Sequence, residues 1–315
     1  MNRNSTVDAL VLSVKPAAGE NNRLASVLSP DKGIFNAVVY GGRKGRLKSL
    51  VSPYHSGKMW LYSDAVKHSV KITDFNPDHY RSGIRDNIYK ACAAALCAEL
   101  ILKTQGAADT SSVWILANGF LDGLHLCSEE EARTGLLRFL WRYIGLMGVQ
   151  DNLCTCRYCG SNTPSWYSAY ENAFICADCM PQNKAHEQNY RQSLFPLNTA
   201  CVEFLQVVHS KTPKEARTVR LHSESIKQLK DFLYFFVNII LFFLLKNTYN
   251  SQERAPMSSL QGLHISFLFF NYIDSGASTP TRLRAFFNVI IVAFTKPKRW
   301  FVNSGSSGLF TRELL

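Results

Sequence analysis

Two thiol pairs carry the clearest chemistry in this chain. Cys156 and Cys159 are separated by two residues, sixteen residues follow, and Cys176 and Cys179 repeat the spacing. A C-x-x-C turn presents two thiolates to one ion, and two such turns complete a tetrahedron around Zn²⁺. Four protein ligands leave no open position for a reacting water, so the expectation is one structural zinc per chain. Cys154 lies two residues ahead of the first pair at a less suitable spacing. Cys92, Cys97, Cys127 and Cys201 fall on apolar stretches and read as core residues.

The second stretch is YGGRKGRLKSL, Tyr40–Leu50, with four cations and three glycines in eleven positions. It resembles a phosphate-binding nucleotide loop, but that motif needs G-x-x-x-x-G-K-[ST]. Counting from Gly41 the second glycine falls on Arg46, and from Gly42 on Leu47. With no convincing helix expected directly after it, the run reads as a cationic loop. Arg43, Lys44, Arg46 and Lys48 suit the repeated phosphates of a polynucleotide. Nearby rings (Phe35, Tyr40, Tyr54, Trp60, Tyr62) either stack bases or fill a barrel core.

No catalytic constellation accompanies these features. His186-Glu187 lacks the second histidine of H-E-x-x-H, there is no G-x-S-x-G elbow, and the eight histidines are scattered. A non-enzymatic protein is expected.

The elements that must position these groups follow from patterning and charge. The chain has 315 residues, enough for two or three domains, and a formal charge of +11. Residues 1–75 hold 11 Lys+Arg against 5 Asp+Glu, residues 76–250 hold 17 against 16, and residues 251–315 hold 7 against 3. The excess is thus concentrated at the N-terminus. The opening MNRNSTVDALVLSVKP has no long apolar core before its first charges, so no secretory signal is read and a reducing, cytoplasmic setting is expected.

Five strands are predicted: Thr6–Val14, Asn22–Leu28, Ile34–Tyr40, Lys58–Ser63 and Ala65–Phe75. In the last, Val66, His68, Val70 and Ile72 are expected on the inner face. Ser29–Gly33 is a strong turn. This suits a small closed barrel of OB type over residues 1–76. From Pro77 the period turns helical, giving a first helical part over 77–149. Ser128 before Glu129–Glu131 marks a helix start. The zinc module occupies 150–182, helix resumes over 183–246, and 247–315 is an unassigned extension. Phe232–Leu245 is a fourteen-residue run with Asn238 as its single polar residue. A span needs about 20 apolar residues, so a buried helix is expected rather than a membrane contact. The fold class is α+β: an N-terminal five-stranded OB-fold barrel, then an α-helical domain with an inserted zinc module.

These pieces in this order resemble the RecO family of recombination mediators, over roughly residues 7–245. The resemblance rests on Gly19-Glu20 with Arg23, the turn Asp31-Lys32-Gly33, Gly41 with Arg43-Lys44, Ser49, and Val51 with Pro53-Tyr54. The helix running into LCTCRYCG adds to it. Two places depart from the family: ENAFIC stands where a glycine pair often precedes the second thiol pair, and Leu137-Arg138-Phe139-Leu140 stands where an arginine pair, a Phe and an acid are common.

The resemblance implies a barrel binding single- and double-stranded DNA, with Arg23 among its contacts, and annealing of complementary strands. It further implies loading of RecA, with the partner RecR, onto strands coated by single-strand DNA-binding protein (SSB). The acidic tail of SSB would dock on the helical domain at Arg138. A zinc-ribbon and OB protein of transcription or RNA metabolism is the alternative, and a membrane-associated protein a third reading.

Overall fold

The computed structural model describes residues 3–251 apart from 19–20, 41–44, 65, 67, 107–108, 149–153, 181–189 and 191–192, with side chains through Asn238. The unassigned extension past Ser251 therefore lies outside the described residues.

Five strands close into a barrel in the order β1-β2-β3-β5-β4: β1 (Asn4–Pro16), β2 (Arg23–Ser29), β3 (Gly33–Val39), β4 (Ser56–Asp64) and β5 (Ser69–His79). All pairs are antiparallel except β3 with β5. Alternate residues point inward (Val7, Ala9 and Val11 on β1; Ala25 and Val27 on β2; Ala37 and Val39 on β3), and Met59, Leu61, Ile72 and Phe75 complete the core. The inward alanines keep the bore narrow, and the larger β4 and β5 side chains fill it. Gly33 ends the predicted turn at φ +67°, a conformation that favours glycine. At Gly57 a Cβ would lie 2.2 Å from the Asn76 carbonyl oxygen, so the approach of β5 excludes any side chain there.

β1 is buried on both faces over residues 9–12, which explains the apolar run there. Leu10, Leu12 and Leu28 lie on the faces of β1 and β2 that helices cover. The helices are α2 (Ile88–Lys103) on β1 and α3 (Thr110–Leu126) on β2. Each begins at a side-chain cap: the Asn87 carbonyl oxygen accepts the Lys90 N–H at 3.0 Å, and an Asp109 carboxylate oxygen accepts the Ser111 N–H at 3.0 Å.

The third long helix, α4 (Glu129–Leu146), starts where the sequence predicts. The Glu131 N–H donates to the Ser128 hydroxyl at 3.3 Å, and the Glu131 carboxylate accepts the Ser128 N–H at 2.9 Å. Its buried Trp141 donates its indole N–H to the Leu205 carbonyl at 2.9 Å, tying it to α5 (Thr199–Ser210). A one-turn α6 (Pro213–Ala216) leads to α7 (Ser223–Ser251). On α7, Phe232, Leu233, Phe236 and Val237 are buried, as expected for the start of the Phe232–Leu245 run. Among the described residues no helix is long and apolar enough to cross a membrane.

Three expectations differ. β5 starts at Ser69 and runs to His79, so Val66 lies in the preceding turn and is 86% exposed. The helix expected from Pro77 begins only at Ile88, after a short 3-10 turn at Ser82–Ile84. Its alanine-rich sequence supplies helix propensity only from residue 88 on, while pairing with β4 holds 77–79 extended. Thirdly, the basic run does enter a helix, α1 (Arg46–Leu50), whose Leu47 and Leu50 pack with Val51 against the barrel core.

The barrel and the helices meet at Arg81. Its guanidinium is almost fully buried, at φ +47°, and donates to three acceptors: the Asp122 carboxylate at 2.7 Å, the Tyr54 carbonyl at 2.6 Å and the Asn118 side-chain oxygen at 2.8 Å. His79 Nδ1 also lies 3.1 Å from the Asp122 oxygen. Replacing Arg81 by Ala should cost about 3 kcal/mol, because it removes a buried guanidinium and leaves three part-buried acceptors at the junction without their donor. Arg81→Lys should recover little, since an ammonium cannot match the planar fork. Urea titration measures both; loss of under about 0.5 kcal/mol for Arg81→Ala, the range of an ordinary surface change, would contradict the assignment.

Candidate nucleic-acid interface and metal centre

The four paired cysteines converge. Their Sγ atoms all lie within 4.8 Å of one another. Cys159 Sγ and Cys176 Sγ are 3.6 Å apart; an ideal zinc tetrahedron with 2.3 Å bonds needs about 3.8 Å between sulfurs. Local backbone makes the geometry. The Gly160 N–H donates to the Cys156 carbonyl at 2.8 Å and closes the first turn, and the Cys179 N–H donates to the Cys176 carbonyl at 3.3 Å in the second. A small sheet in the order β7-β6-β8 supports both: β6 (Trp166–Ser168), β7 (Ala173–Ile175) and β8 (Leu194–Pro196). β7 delivers the chain directly to Cys176, and the Arg157 N–H donates to the Phe174 carbonyl at 2.9 Å.

That sheet is fastened to the helices by rings. Tyr167 and Phe174 lie 5.0 Å and 5.9 Å from Phe232 of α7, and Trp141 of α4 is 5.9 Å from the same ring. Aromatic pairs at such spacings add to area burial.

Electrostatics within the quartet favour an ion. Burial pushes the Cys156 thiol up, but N–H groups of Cys159, Cys176 and Tyr158 outweigh it and hold the group down to about 6. Cys179 is pushed up to about 12 by the Cys176 and Cys159 thiols beside it. One thiolate thus hinders the next, and a divalent cation relieves this repulsion. The donor set fits a soft or borderline metal ion. Cys154 is fully buried and is not one of the four converging thiols.

The described cationic candidates lie at one end of the barrel. Arg43 and Lys44 lie outside the described residues. Arg46 is exposed on α1, and Lys48, further along the same helix, is half-buried. Arg23, at the start of β2, donates to the Lys48 carbonyl at 3.4 Å. Arg23 and Lys48 line a cleft of about 470 Å³ with Val14, Lys15, Asn22 and Pro53. Lys15 is a cation that sequence reasoning missed; its only signal is its place at the end of β1.

Among the rings, Phe35 packs against the barrel core. Tyr54 is turned into the junction with the helices, where burial pushes its hydroxyl up to about 12. Tyr40 and Trp60 are 52% and 39% exposed, so they face outward rather than filling the bore.

Arg138 lies on α4 among other guanidinium groups. Burial pushes it down to about 10, and Arg217 and Arg142 add like-charge repulsion, with Glu131 offsetting part of it. Arg142 is fixed by donating to the Val208 and Lys211 carbonyls, at 3.1 Å and 3.0 Å, at the end of α5. Among the described residues no carboxylate pairs directly with Arg138, Arg142 or Arg217. Arg142 and Arg217 were not legible as a site, because folding alone brings the residue-217 region to α4.

Comparison with known proteins bears on these features. A family model described as "Recombination protein O C terminal" matches residues 85–241, the helical region with its cysteine module. The chain is similar to a DNA repair protein RecO of Syntrophotalea carbinolica, 28% identical over 169 residues, covering 51% of this chain and 64% of that protein. It is also similar to a DNA repair protein RecO of Oceanobacillus iheyensis, 19% identical over 231 residues, covering 72% of this chain and 85% of that protein. The first match thus spans a little under two thirds of its relative's length.

Stripping metal with a chelator should loosen the cysteine module and lower the thermal midpoint. Because protons compete with the metal for all four thiolates, metal should also be lost progressively on acidification. Circular dichroism and metal analysis across pH 5–8 test this. Cys127→Ser, outside the quartet, should leave metal content unchanged; equal loss from Cys127→Ser and Cys156→Ser would contradict the assignment.

Proposed function

Because this chain belongs to the RecO family of DNA repair proteins, we propose that it is a non-enzymatic, DNA-binding mediator of recombinational repair. The barrel is read as an OB-fold that binds single- and double-stranded DNA. The observation that carries this reading is the cleft lined by Lys15, Arg23 and Lys48, with Arg46 beside it, on a domain of net positive charge. Arg43 and Lys44 join that set from the sequence. Such cations bind phosphates chiefly by releasing counterions, without reading sequence.

The metal is zinc, one per chain, held by Cys156, Cys159, Cys176 and Cys179. When bound it supplies folding energy to the module rather than chemistry, since no ligand position is left open. The residues of the quartet themselves shape the two turns beside the small sheet, which rings fasten to α7. Support comes from the all-thiol donor set and its spacing.

Arg138, with Arg142 and Arg217, is the docking point for the acidic tail of SSB. What supports it is a group of guanidiniums with little neutralising charge nearby. Annealing of complementary strands, and loading of RecA together with RecR, follow from the family reading. The cytoplasm is the corresponding location.

Changing Arg43, Lys44, Arg46 and Lys48 to Ala should weaken single-strand binding and reduce the salt slope by about 0.7 for each phosphate that is no longer neutralised. Unchanged affinity and slope would remove this loop from the interface. Arg138→Ala should weaken binding of a peptide copying the acidic tail by about tenfold, or ~1.4 kcal/mol, read by fluorescence anisotropy; an unchanged dissociation constant would contradict the docking. A protein of transcription or RNA metabolism would instead prefer RNA over a matched DNA strand in filter binding.

A further inference from the structure

The barrel end described above carries a second subsite whose chemistry differs from the basic cleft. Trp60 and Tyr62 are the outward residues of β4, flanking inward Leu61, while Lys71 and Thr73 face outward on β5. Tyr40 projects from the end of β3, with the Lys71 ammonium 5.2 Å from its ring centre. Tyr40, Tyr62, Lys71 and Thr73 line an open cleft of about 400 Å³. Outward rings are unexpected here, since the barrel already has a complete apolar core without them.

The strand register connects this shelf to the basic cleft. Arg23 pairs with Val39, Val38 pairs with Lys71, and Lys71 pairs with Tyr62. Two strand spacings, about 10 Å, therefore separate Arg23 from Lys71 around the same rim. The two subsites divide the work. The cleft offers Lys15, Arg23 and Lys48. The shelf is nearly neutral: it holds Lys71 but also Asp64, a carboxylate that accepts the Val66 N–H at 3.0 Å, and Asp74 pairs opposite Trp60 on the neighbouring strand. A shelf of rings with little net charge attracts flat, unpaired bases rather than phosphate, because stacking tolerates any base and needs no counterion release. In a duplex the bases are already stacked on one another and offer no free face.

We propose that a single-stranded polynucleotide crosses this rim with its phosphates at Lys15, Arg23 and Lys48 and its unpaired bases stacked on Tyr40, Tyr62 and Trp60. The inference rests on the DNA-binding reading of the barrel. It adds the face that is used and the reason single strands are favoured: the cleft serves both forms, and the shelf serves only unpaired bases.

The test compares an oligothymidylate with a mixed-sequence duplex of equal length, on the full chain, across a salt series. The double variant Tyr40→Ala, Tyr62→Ala should lose about tenfold or more of its oligothymidylate affinity, with the salt slope and duplex affinity unchanged. Unchanged duplex binding also shows that the variant is folded. Arg23→Ala with Lys48→Ala should weaken both ligands and flatten both slopes. Oligothymidylate should quench part of the tryptophan fluorescence, and Trp60→Phe should abolish that part. If the tyrosine variant binds oligothymidylate as the parent does, or loses duplex binding equally, the path is wrong while the basic cleft still stands. If the parent chain binds neither ligand, the underlying DNA-binding reading fails with it.

Discussion

A single buried guanidinium sets the relation between the barrel and the helices. Arg81 stands between a carbonyl of the barrel, at Tyr54, and two side chains of α3, Asn118 and Asp122. A charge so buried is tolerated only when its donors are met, and Arg81 can meet them only if barrel and α3 keep one mutual position. The apolar contact follows the same line, with Leu10, Leu12 and Leu28 buried beneath α2 and α3. One side of the barrel is thereby committed to protein. What remains for a polymer ligand is the rim of Lys15, Arg23 and Lys48 and the outer surface of β4 and β5.

The cysteine quartet performs a comparable task for the helical region. Strands of three residues cannot hold themselves together, and β6, β7 and β8 are each that short. Two fastenings hold them: the thiol cluster reached at the end of β7, and the ring cluster in which Tyr167 of β6 and Phe174 of β7 meet Phe232 of α7. The module is thus a flap on α7 and α4, braced by the thiol cluster and the rings. Its location on the same helical body as Arg138, Arg142 and Arg217 agrees with the proposed division, in which the barrel handles nucleic acid and the helices meet other proteins.

Local features of this architecture were legible in the sequence. The strands alternate with period two, Ser128 and Glu131 carry their own capping geometry, and the thiol spacing encodes two turns. Features that depend on distant partners were not legible. Residues 77–79 look like the start of a helix and are held extended by β4. Leu47 and Leu50 within a basic run read as loop until the open end of the barrel gives them something to cover. The ring at position 60 and the ring at position 54 look alike in sequence; one faces outward, and the other fills a junction that exists only once Arg81 is in place. Arg142 and Arg217 approach Arg138 through the packing of α5 and the segment after it, which no spacing rule anticipates.

If, as proposed, the basic barrel on its helical body handles single DNA strands and brings them to their complements, the chain must act on strands that are already covered. The decisive experiment is annealing of complementary strands coated beforehand with single-strand DNA-binding protein, followed by fluorescence transfer between labelled ends. The full chain should accelerate annealing of the coated strands. No acceleration, from protein that still binds the bare strands, would contradict this role.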